Sequence, residues 1–377
     1  MRVCAAEFAD DYWGTEALLT RAADHYADLF SAGAVDELIS RRGLRTPFLR
    51  MAQNGATLPD SSFTAGAGVG ATITDQVDDT AVWRHFAGGA TLVLQALHRT
   101  WAPIGDFTAA LAAELAHPVQ ANAYITPAQN RGFDDHYDVH DVFVLQVEGT
   151  KRWVIHRPVH PDPLRDQPWT DHRQAVEAAA REEPVIDTVL HPGDCLYLPR
   201  GWLHAAQAQG ELSIHLTLGV HVWTRYAVAE HLANNALARL RQDPAARGSL
   251  PVGVDGVDGV VEQVRKELLA ALDQADPEPA FQRARRGQER PGALAPLAQR
   301  AALDRLSEGS AVQLRSGLAP SWDGNRLRTR VGWLDVQPGE RAAIRTLLDG
   351  EPHPVREIGL EVARRLLQAG VALPAQW

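Results

Sequence analysis

The sequence predicts an α+β protein with a mainly β core, because three stretches of the chain differ in their residue pattern. From Val119 to Val222, short apolar runs alternate with turn residues, which is typical of a small antiparallel barrel or jelly roll. After Trp223 the pattern becomes helical, and residues 297–377 alternate between helix and strand. We therefore expect a β domain followed by helices and a smaller mixed module.

Residues 1–118 are expected to form a mixed α/β part that precedes the barrel. Helices are predicted at 16–29, 34–38 and 108–117, and Pro118 ends the last of them. The run 90–97 is short and almost entirely apolar, as in a buried strand.

The barrel core, residues 119–223, is predicted from clusters of β-branched and aromatic residues between turn signals. Strands are expected at 122–126, 142–147, 151–155, 194–198 and 213–222.

The C-terminal part contains two amphipathic helices, predicted at 227–241 and 260–275. Helices of this kind outside a barrel often pair with each other or with another subunit. Residues 277–296 contain several prolines and are expected to be a linker. The order of elements in 297–377 is compatible with a winged-helix module.

Composition indicates a globular protein, with 45% hydrophobic and 22% charged residues among 377. The two cysteines, Cys4 and Cys195, form no CxxC motif, so neither a disulfide framework nor a thiolate zinc site is supported. No signal peptide and no membrane span is predicted, and we expect a cytoplasmic protein. The net charge of −10 argues against broad nucleic-acid binding, although residues 283–377 carry 15 Arg against 10 Asp and Glu.

Three residues predict a metal site. His136 and Asp138 are two residues apart, so on an extended strand both point to the same side. His204 follows the turn Pro199-Arg200-Gly201, which can bring a second strand end over the same place. Two histidines and one carboxylate, leaving three open positions, are the ligand set of non-haem Fe(II) oxygenases. We therefore expect an enzyme that uses O2.

Lys151 and Asn122 predict a co-substrate beside that metal. Lys151, Trp153 and Ile155 share one face of a strand, and inside a barrel the ammonium group of Lys151 would need an anion. A dicarboxylate with an oxo-acid group would fill the open metal positions with its oxo-acid end and would pair its far carboxylate with Lys151. Asn122, on a neighbouring strand, could donate a hydrogen bond to the same ligand.

Other interpretations of these residues are open from the pattern alone. His136 and Asp138 also fit a surface loop, because acidic residues crowd around them. The crowding permits a second frame, in which Asp138 pairs with His140. Lys151 also fits a solvated surface position.

Several runs of the sequence resemble the JmjC-type 2-oxoglutarate oxygenases of the ribosomal-oxygenase group. These runs are Asn122–Pro127, Gly132-Phe133-x-x-His136-x-Asp138, Asp141–Val147 with Gly149-x-Lys151-Arg152-Trp153, Leu196–His204 and Ser213–Thr217. The resemblance spans residues 8 to about 223 and favours the His136 frame.

The resemblance implies a double-stranded β-helix of the cupin or jelly-roll type in residues 1–223, a helical dimerisation segment at 224–278 and a winged-helix domain at 297–377. It implies Fe(II) held by His136, Asp138 and His204, and 2-oxoglutarate held by Lys151 and Asn122. It also implies a homodimer that hydroxylates a histidine or arginine of a ribosomal protein. No membrane partner and no direct nucleic-acid partner is expected.

The sequence departs from the family at Gly219, where members often carry a Ser or Thr that contacts the co-substrate, and Thr217 is a possible replacement. Two other functions stay compatible with the sequence. One is an oxygenase that tailors a peptide natural product, and the other is a non-redox metal cupin or binding protein.

Overall fold

The computed structural model describes residues 3–53, 55–70, 72–128, 134–250, 252–253, 258–288 and 290–375. The motif residues Gly132 and Phe133 lie outside the described residues. The chain forms two compact units, Met1–Val222 and Trp223–Trp377, which are treated in turn.

The first unit is built on two main antiparallel sheets and a separate two-stranded sheet, in which Thr64–Ala65 pairs with Gln76–Val77. The strands are β1 Leu18–Thr20, β2 Leu49–Gln53, β3 Ala56–Thr57, β4 Thr64–Ala65, β5 Gln76–Val77, β6 Thr91–Leu94, β7 Val119–Thr126, β8 Asp141–Glu148, β9 Lys151–His156, β10 Ile186–Leu190, β11 Cys195–Leu198, β12 Leu203–Ala208 and β13 Ser213–Val220. The larger sheet has the order β1-β11-β8-β13-β7-β6-β2-β3, and the smaller sheet has the order β10-β9-β12. The predicted β core is confirmed.

Alternation along β13 separates the two faces of the larger sheet. Ile214, Leu216 and Leu218 are buried in a core beneath the N-terminal helices, while His215 and Thr217 point to the other face. A second core, which includes Val144 and Trp153, fills the space between the two sheets.

Helices cover the outer face of the larger sheet. They are α1 Ala5–Glu7, α2 Ala32–Arg41, α3 Asp79–Ala87, α4 Leu97–Thr100 and α5 Ala102–Leu115, and a further helix, α6 Arg173–Ala179, follows β9. The helices predicted at 34–38 and 108–117 and the strand predicted at 90–97 are confirmed, with boundaries shifted by several residues.

The helix predicted at 16–29 is wrong. Leu18–Thr20 instead pairs with β11 as β1, and Ala22 has a left-handed backbone with φ +45°. The Asp194 carboxylate accepts hydrogen bonds from Ala22 N at 2.9 Å and from Arg21 Nη1 at 2.6 Å. These tertiary contacts outweigh the helix propensity of the segment.

The second unit contains helices and short strands. They are α7 Arg225–Leu240, α8 Asp258–Asp273, α9 Glu278–Gln288, α10 Pro296–Asp304, β14 Ala311–Leu314, β15 Ser321–Asp323, β16 Arg326–Thr329, β17 Gly332–Asp335, α11 Arg341–Thr346, β18 His353–Pro354, α12 Val355–Ile358, α13 Leu360–Gln368 and β19 Ala372–Pro374. The two sheets have the orders β18-β14-β19 and β15-β16-β17. The two predicted amphipathic helices are confirmed as α7 and α8.

The linker predicted at 277–296 is wrong in part, because α9 occupies much of it. Residues 278–288 contain a single proline, Pro279, which lies in the first turn, where its missing N–H has no helical partner to lose. The dimerisation segment and the winged-helix assignment stay predictions. Among the described residues, no helix combines the length and the apolar character that crossing a membrane would require.

Candidate active site

His136 and His204 are brought together by the backbone. They form an isolated antiparallel bridge, in which His204 N donates to His136 O at 2.8 Å and His136 N donates to His204 O at 3.3 Å. The turn before β12 is fixed by a third bond, from Gly201 N to Asp138 O at 3.0 Å. The predicted turn therefore does deliver His204 to the strand end that carries His136 and Asp138.

The turn that carries His204 is also held by a buried carboxylate. Asp141 accepts hydrogen bonds from Arg200 N at 3.1 Å and from the Tyr197 hydroxyl at 2.5 Å. The same hydroxyl accepts a hydrogen bond from Gly14 N at 2.9 Å. Asp141 thus ties the turn to β8, β11 and the N-terminal segment.

One potential ligand atom from each of His136, Asp138 and His204 lies within 4.8 Å of the other two. The Asp138 carboxylate is 3.7 Å from His204 Nε2, and the ring centroids of His136 and His204 are 4.4 Å apart. His140 is outside this group among the described residues, since its Nε2 lies 3.4 Å from Gln120 Nε2. The geometry therefore selects the His136 frame over the His140 frame.

Hydrogen bonds fix the tautomers of both histidines. Nδ1 of His136 is 2.7 Å from the Asp134 carbonyl oxygen, and Nδ1 of His204 is 3.0 Å from the Trp202 carbonyl oxygen. A carbonyl oxygen only accepts, so each Nδ1 carries a proton, and Nε2 is the atom of the neutral ring that has the lone pair for a metal. This arrangement orients a histidine for metal binding.

The charge states of Asp138 and His204 also fit a cation. Burial, followed by the neighbouring His136, lowers the pKa of His204 to about 4, so its ring is neutral at pH 7. Burial raises the pKa of Asp138, but the nearby His140, His204 and His136 outweigh it and hold that pKa below its ordinary value. Neutral imidazoles and an ionised carboxylate are the forms that bind a metal ion, so the group fits a divalent metal.

Lys151 lies at the start of β9 and is only 3% exposed. Its Nζ donates a hydrogen bond to Thr126 Oγ1 at 3.1 Å, and no carboxylate pairs with it among the described residues. Burial lowers the pKa of Lys151 to about 7. A buried ammonium without a counter-ion is unfavourable, and an anionic ligand would relieve this.

One small cavity joins Lys151 to the metal-ligand group. It is lined by Tyr124, His136, Asp138, Val142, Val144, Lys151, Trp153, His204, Ala206, His215 and Thr217. Two buried polar atoms on these residues, Trp153 Nε1 and His215 Nδ1, have no hydrogen-bond partner among the described residues. Buried polar groups are normally paired, so these atoms fit a polar ligand in the cavity.

Comparison with known proteins agrees with this geometry. Residues 98–228 match the family model described as JmjC domain. Human ribosomal oxygenase 1 is 32% identical over 212 residues, which cover 55% of this chain and 31% of that protein. The chain is a JmjC-domain protein related to the ribosomal oxygenases.

More distant relatives extend the similarity. The bifunctional lysine-specific demethylase and histidyl-hydroxylase NO66 of Drosophila erecta is 29% identical over 276 residues, covering 70% of this chain and 39% of that protein. The chain spans roughly a third of the length of the human, bovine and rat ribosomal oxygenase 1 proteins, at 30 to 34%.

Solved structures show the same fold over almost the whole chain. The Escherichia coli ribosomal oxygenase YcfD is 17% identical with a TM-score of 0.57, and the similarity covers 99% of both chains. A structure of that protein in complex with cobalt and 2-oxoglutarate is 18% identical with a TM-score of 0.58, covering 98% of each. The full-chain fold is therefore that of YcfD.

Asn122 is not among the residues that line the cavity of the JmjC domain. It lies two residues before Tyr124 on β7, but its Oδ1 accepts a hydrogen bond from Ala96 N at 3.0 Å. The carboxamide thus caps the segment that enters α4. Its contact with 2-oxoglutarate stays a prediction.

Thr217 lines the cavity, whereas Gly219 does not. A Cβ at Gly219 would lie 3.1 Å from atoms of the Gln120 side chain and from His140 Cε1, so that space is already filled. Thr217 and His215 are the residues of β13 that line the cavity.

Two residues of the cavity region were not predicted from the sequence. Thr126 is the hydrogen-bond partner of Lys151, and it could have been predicted from the period-2 alternation of Asn122, Tyr124 and Thr126 along one strand. His215 is buried, stacks on Tyr124 with ring centroids 5.0 Å apart and lines the cavity.

Proposed function

We propose that the chain is an Fe(II)- and 2-oxoglutarate-dependent dioxygenase that hydroxylates a protein side chain, a histidine or an arginine of a ribosomal protein. The observation that carries this proposal is the pairing of two unsatisfied features in one cavity. The three-residue metal-ligand group lines the cavity, and the buried Lys151, which has no carboxylate partner among the described residues, also lines it. A metal together with a dicarboxylate that chelates it satisfies both.

His136, Asp138 and His204 would hold the metal through two Nε2 atoms and one carboxylate oxygen. The bound iron, with O2 and 2-oxoglutarate, supplies the oxidising power needed to hydroxylate an unactivated C–H bond. The remaining work falls to the protein, which binds, orients and shields the reactants.

Lys151 and Thr126 would hold the far carboxylate of 2-oxoglutarate. The ammonium group donates charge-assisted hydrogen bonds, and the Thr126 hydroxyl, which already accepts one from Nζ, fixes the position of that group. Trp153 Nε1 and His215 Nδ1 offer further polar contacts, and the apolar wall formed by Val142 and Val144 excludes water.

The substrate proposal is supported by the relatives and by charge. The curated relatives are ribosomal oxygenases and histidyl-hydroxylases. The whole chain carries a net charge of −10, which attracts a basic protein partner.

The test is 2-oxoglutarate turnover, measured as succinate release with Fe(II) and a mixture of ribosomal proteins. We expect His136→Ala, Asp138→Ala and His204→Ala to lower turnover by about hundredfold or more, because each removes a metal ligand. The exposed His25→Ala is the matched control and keeps full turnover. Turnover in His136→Ala equal to that of the unmodified chain would refute the site assignment.

The substrate is tested separately by mass spectrometry. We expect a mass increase of one oxygen atom on a histidine or arginine of a ribosomal protein. Modification of short peptides alone would point to a peptide-tailoring enzyme. Tight 2-oxoglutarate binding without turnover under any condition would indicate a binding protein instead of an enzyme.

We further propose that the chain is a homodimer through α7 and α8. Several of their large apolar side chains are exposed, including Leu237 at 57%, Val264 at 50% and Leu269 at 56%. Apolar surface of this kind marks an interface. Light scattering on a Leu237→Glu/Leu269→Glu variant should report half the mass of the unmodified chain, and an unchanged mass would refute the proposal.

A further inference from the structure

A second and larger concavity lies on the face of the eight-stranded sheet opposite the metal-ligand group. It has a volume of about 510 Å³ and opens between α2 and α3. Small-molecule sites typically measure ~300 to 1,000 Å³, so this cleft has the size of a ligand site. None of its lining residues belongs to the cavity described above.

The interior of the cleft is apolar. Val35 and Ile39 of α2 and Val82 of α3 form the walls, and Ile125 of β7 and Ile214 of β13 form the floor. These side chains bury apolar surface, and a ligand with an apolar body would gain free energy by displacing water from the space between them.

The mouth of the cleft is acidic. Asp36 and Asp79 line it, both are exposed, and neither forms an ion pair among the described residues. No basic side chain lines the cleft in the described parts of the chain. The Trp83 side chain, 64% exposed, stands at the same mouth. Two exposed carboxylates with no ion pair among the described residues, together with an exposed indole ring, are groups that bind an organic cation.

We propose that this cleft binds a small amphiphilic cation, with the apolar body between α2 and α3 and the ammonium or guanidinium group at Asp36 and Asp79. The volume of the cleft, about 510 Å³, fits a small molecule. The inference stands independently of the proposed function, because it uses no residue of the metal cavity.

The strands that form the floor of the cleft also border the metal cavity. Ile125 lies between Tyr124 and Thr126 on β7, and Ile214 precedes His215 on β13. Their neighbours face the opposite side of the same sheet and line or border the metal cavity. The same two strands thus form a wall of both sites.

The test is titration calorimetry of the full chain with three probes that share one apolar body: n-octylammonium, 1-octanol and octanoate, each below its aggregation concentration. We expect n-octylammonium to bind at least about tenfold more tightly than octanoate, with 1-octanol between them, because two partly solvated ion pairs contribute modestly. Equal affinity for n-octylammonium and octanoate would refute the cation assignment.

Two double variants locate the site. Asp36→Asn/Asp79→Asn keeps the side-chain size and should lower the affinity for n-octylammonium about tenfold while leaving 1-octanol unchanged. Asp106→Asn/Glu114→Gln removes two exposed carboxylates from α5 and is the matched control, with no expected change. An equal loss in both variants, or no loss in either, would overturn the proposal. Thermal unfolding checks that each variant is folded.

Discussion

The pKa of Lys151 makes the affinity for 2-oxoglutarate depend on pH. Burial lowers the pKa of Lys151 to about 7 in the free protein, and a bound carboxylate would restore it toward the ordinary value of 10.5. The bound state therefore holds its proton more tightly than the free state. By linkage, the full affinity is present below pH 7 and is lost as the pH rises toward the pKa of the bound state.

The size of the effect follows from the free-state pKa. The dissociation constant should increase about twofold between well below pH 7 and pH 7, and about hundredfold between pH 6 and pH 9. Binding should also take up protons, about half a proton at pH 7 and about nine-tenths of a proton at pH 8.

The assay is titration calorimetry with 2-oxoglutarate in buffers that differ in ionisation enthalpy, which reports both affinity and proton uptake. Mn(II) in the metal site prevents turnover, and Mn(II) binding is measured alone at each pH so that its own pH dependence is separated. Lys151→Arg keeps a cation that stays protonated in this range, so its pH dependence should be flat. The Lys151→Met variant should bind 2-oxoglutarate weakly at every pH, because it has no cation to pair with the far carboxylate.

The control for general effects is Lys266→Met, which changes the chain's other lysine at an exposed position of α8. It should bind 2-oxoglutarate with the same pH profile as the unmodified chain. A dissociation constant that stays within twofold from pH 6 to pH 9 in the unmodified chain would refute the role of Lys151.

Three further substitutions test the fold around the site. Asp141→Ala leaves the Tyr197 hydroxyl and Arg200 without their shared partner and should lower the free energy of unfolding by about 3 kcal/mol in urea titrations. Gly201→Ala places a Cβ 2.7 Å from a carbonyl oxygen at φ +86° and should lower stability by about 2 kcal/mol and weaken Mn(II) binding in a metal titration. Leu216→Ala empties a fully buried position and should lower the free energy of unfolding by about 3 kcal/mol, also in urea.

Each substitution has a matched comparison. Asp141→Asn keeps an oxygen acceptor and should lose less than Asp141→Ala. Gly210→Ala, at φ +74° with no atom within 4 Å of the added Cβ, introduces the same backbone strain without a close contact to a carbonyl oxygen. It should leave Mn(II) binding unchanged. The exposed Leu348→Ala should cost under about 1 kcal/mol. Losses equal to those of the comparison variants would contradict the structural roles assigned.

The sequence predicted the β core and the metal-ligand group because both depend on short-range periodicity. Strand alternation alone was enough to predict that His136 and Asp138 point to the same side. A turn before a strand was enough to predict that His204 lies near them. The resemblance supplied the frame, and the backbone bridge between His136 and His204 agrees with it.

The rest depended on contacts that local patterns do not contain. Residues 16–29 have helical propensity, yet pairing with β11 and the bonds to Asp194 impose another structure. The carboxamide of Asn122 faces the backbone of Ala96, 26 residues earlier, and no local signal reports that bond. The crowding that closes the Gly219 position arises from Gln120 and His140 on two other segments.

The strand order of the larger sheet has a consequence for self-association. Its two edges are β1, with three residues, and β3, with two residues. An edge this short offers few free N–H and C=O groups to another chain, which protects a sheet of this width from edge-to-edge aggregation. The short edges therefore disfavour extension of this sheet by a second copy, and the dimer proposed above uses side chains of α7 and α8 instead.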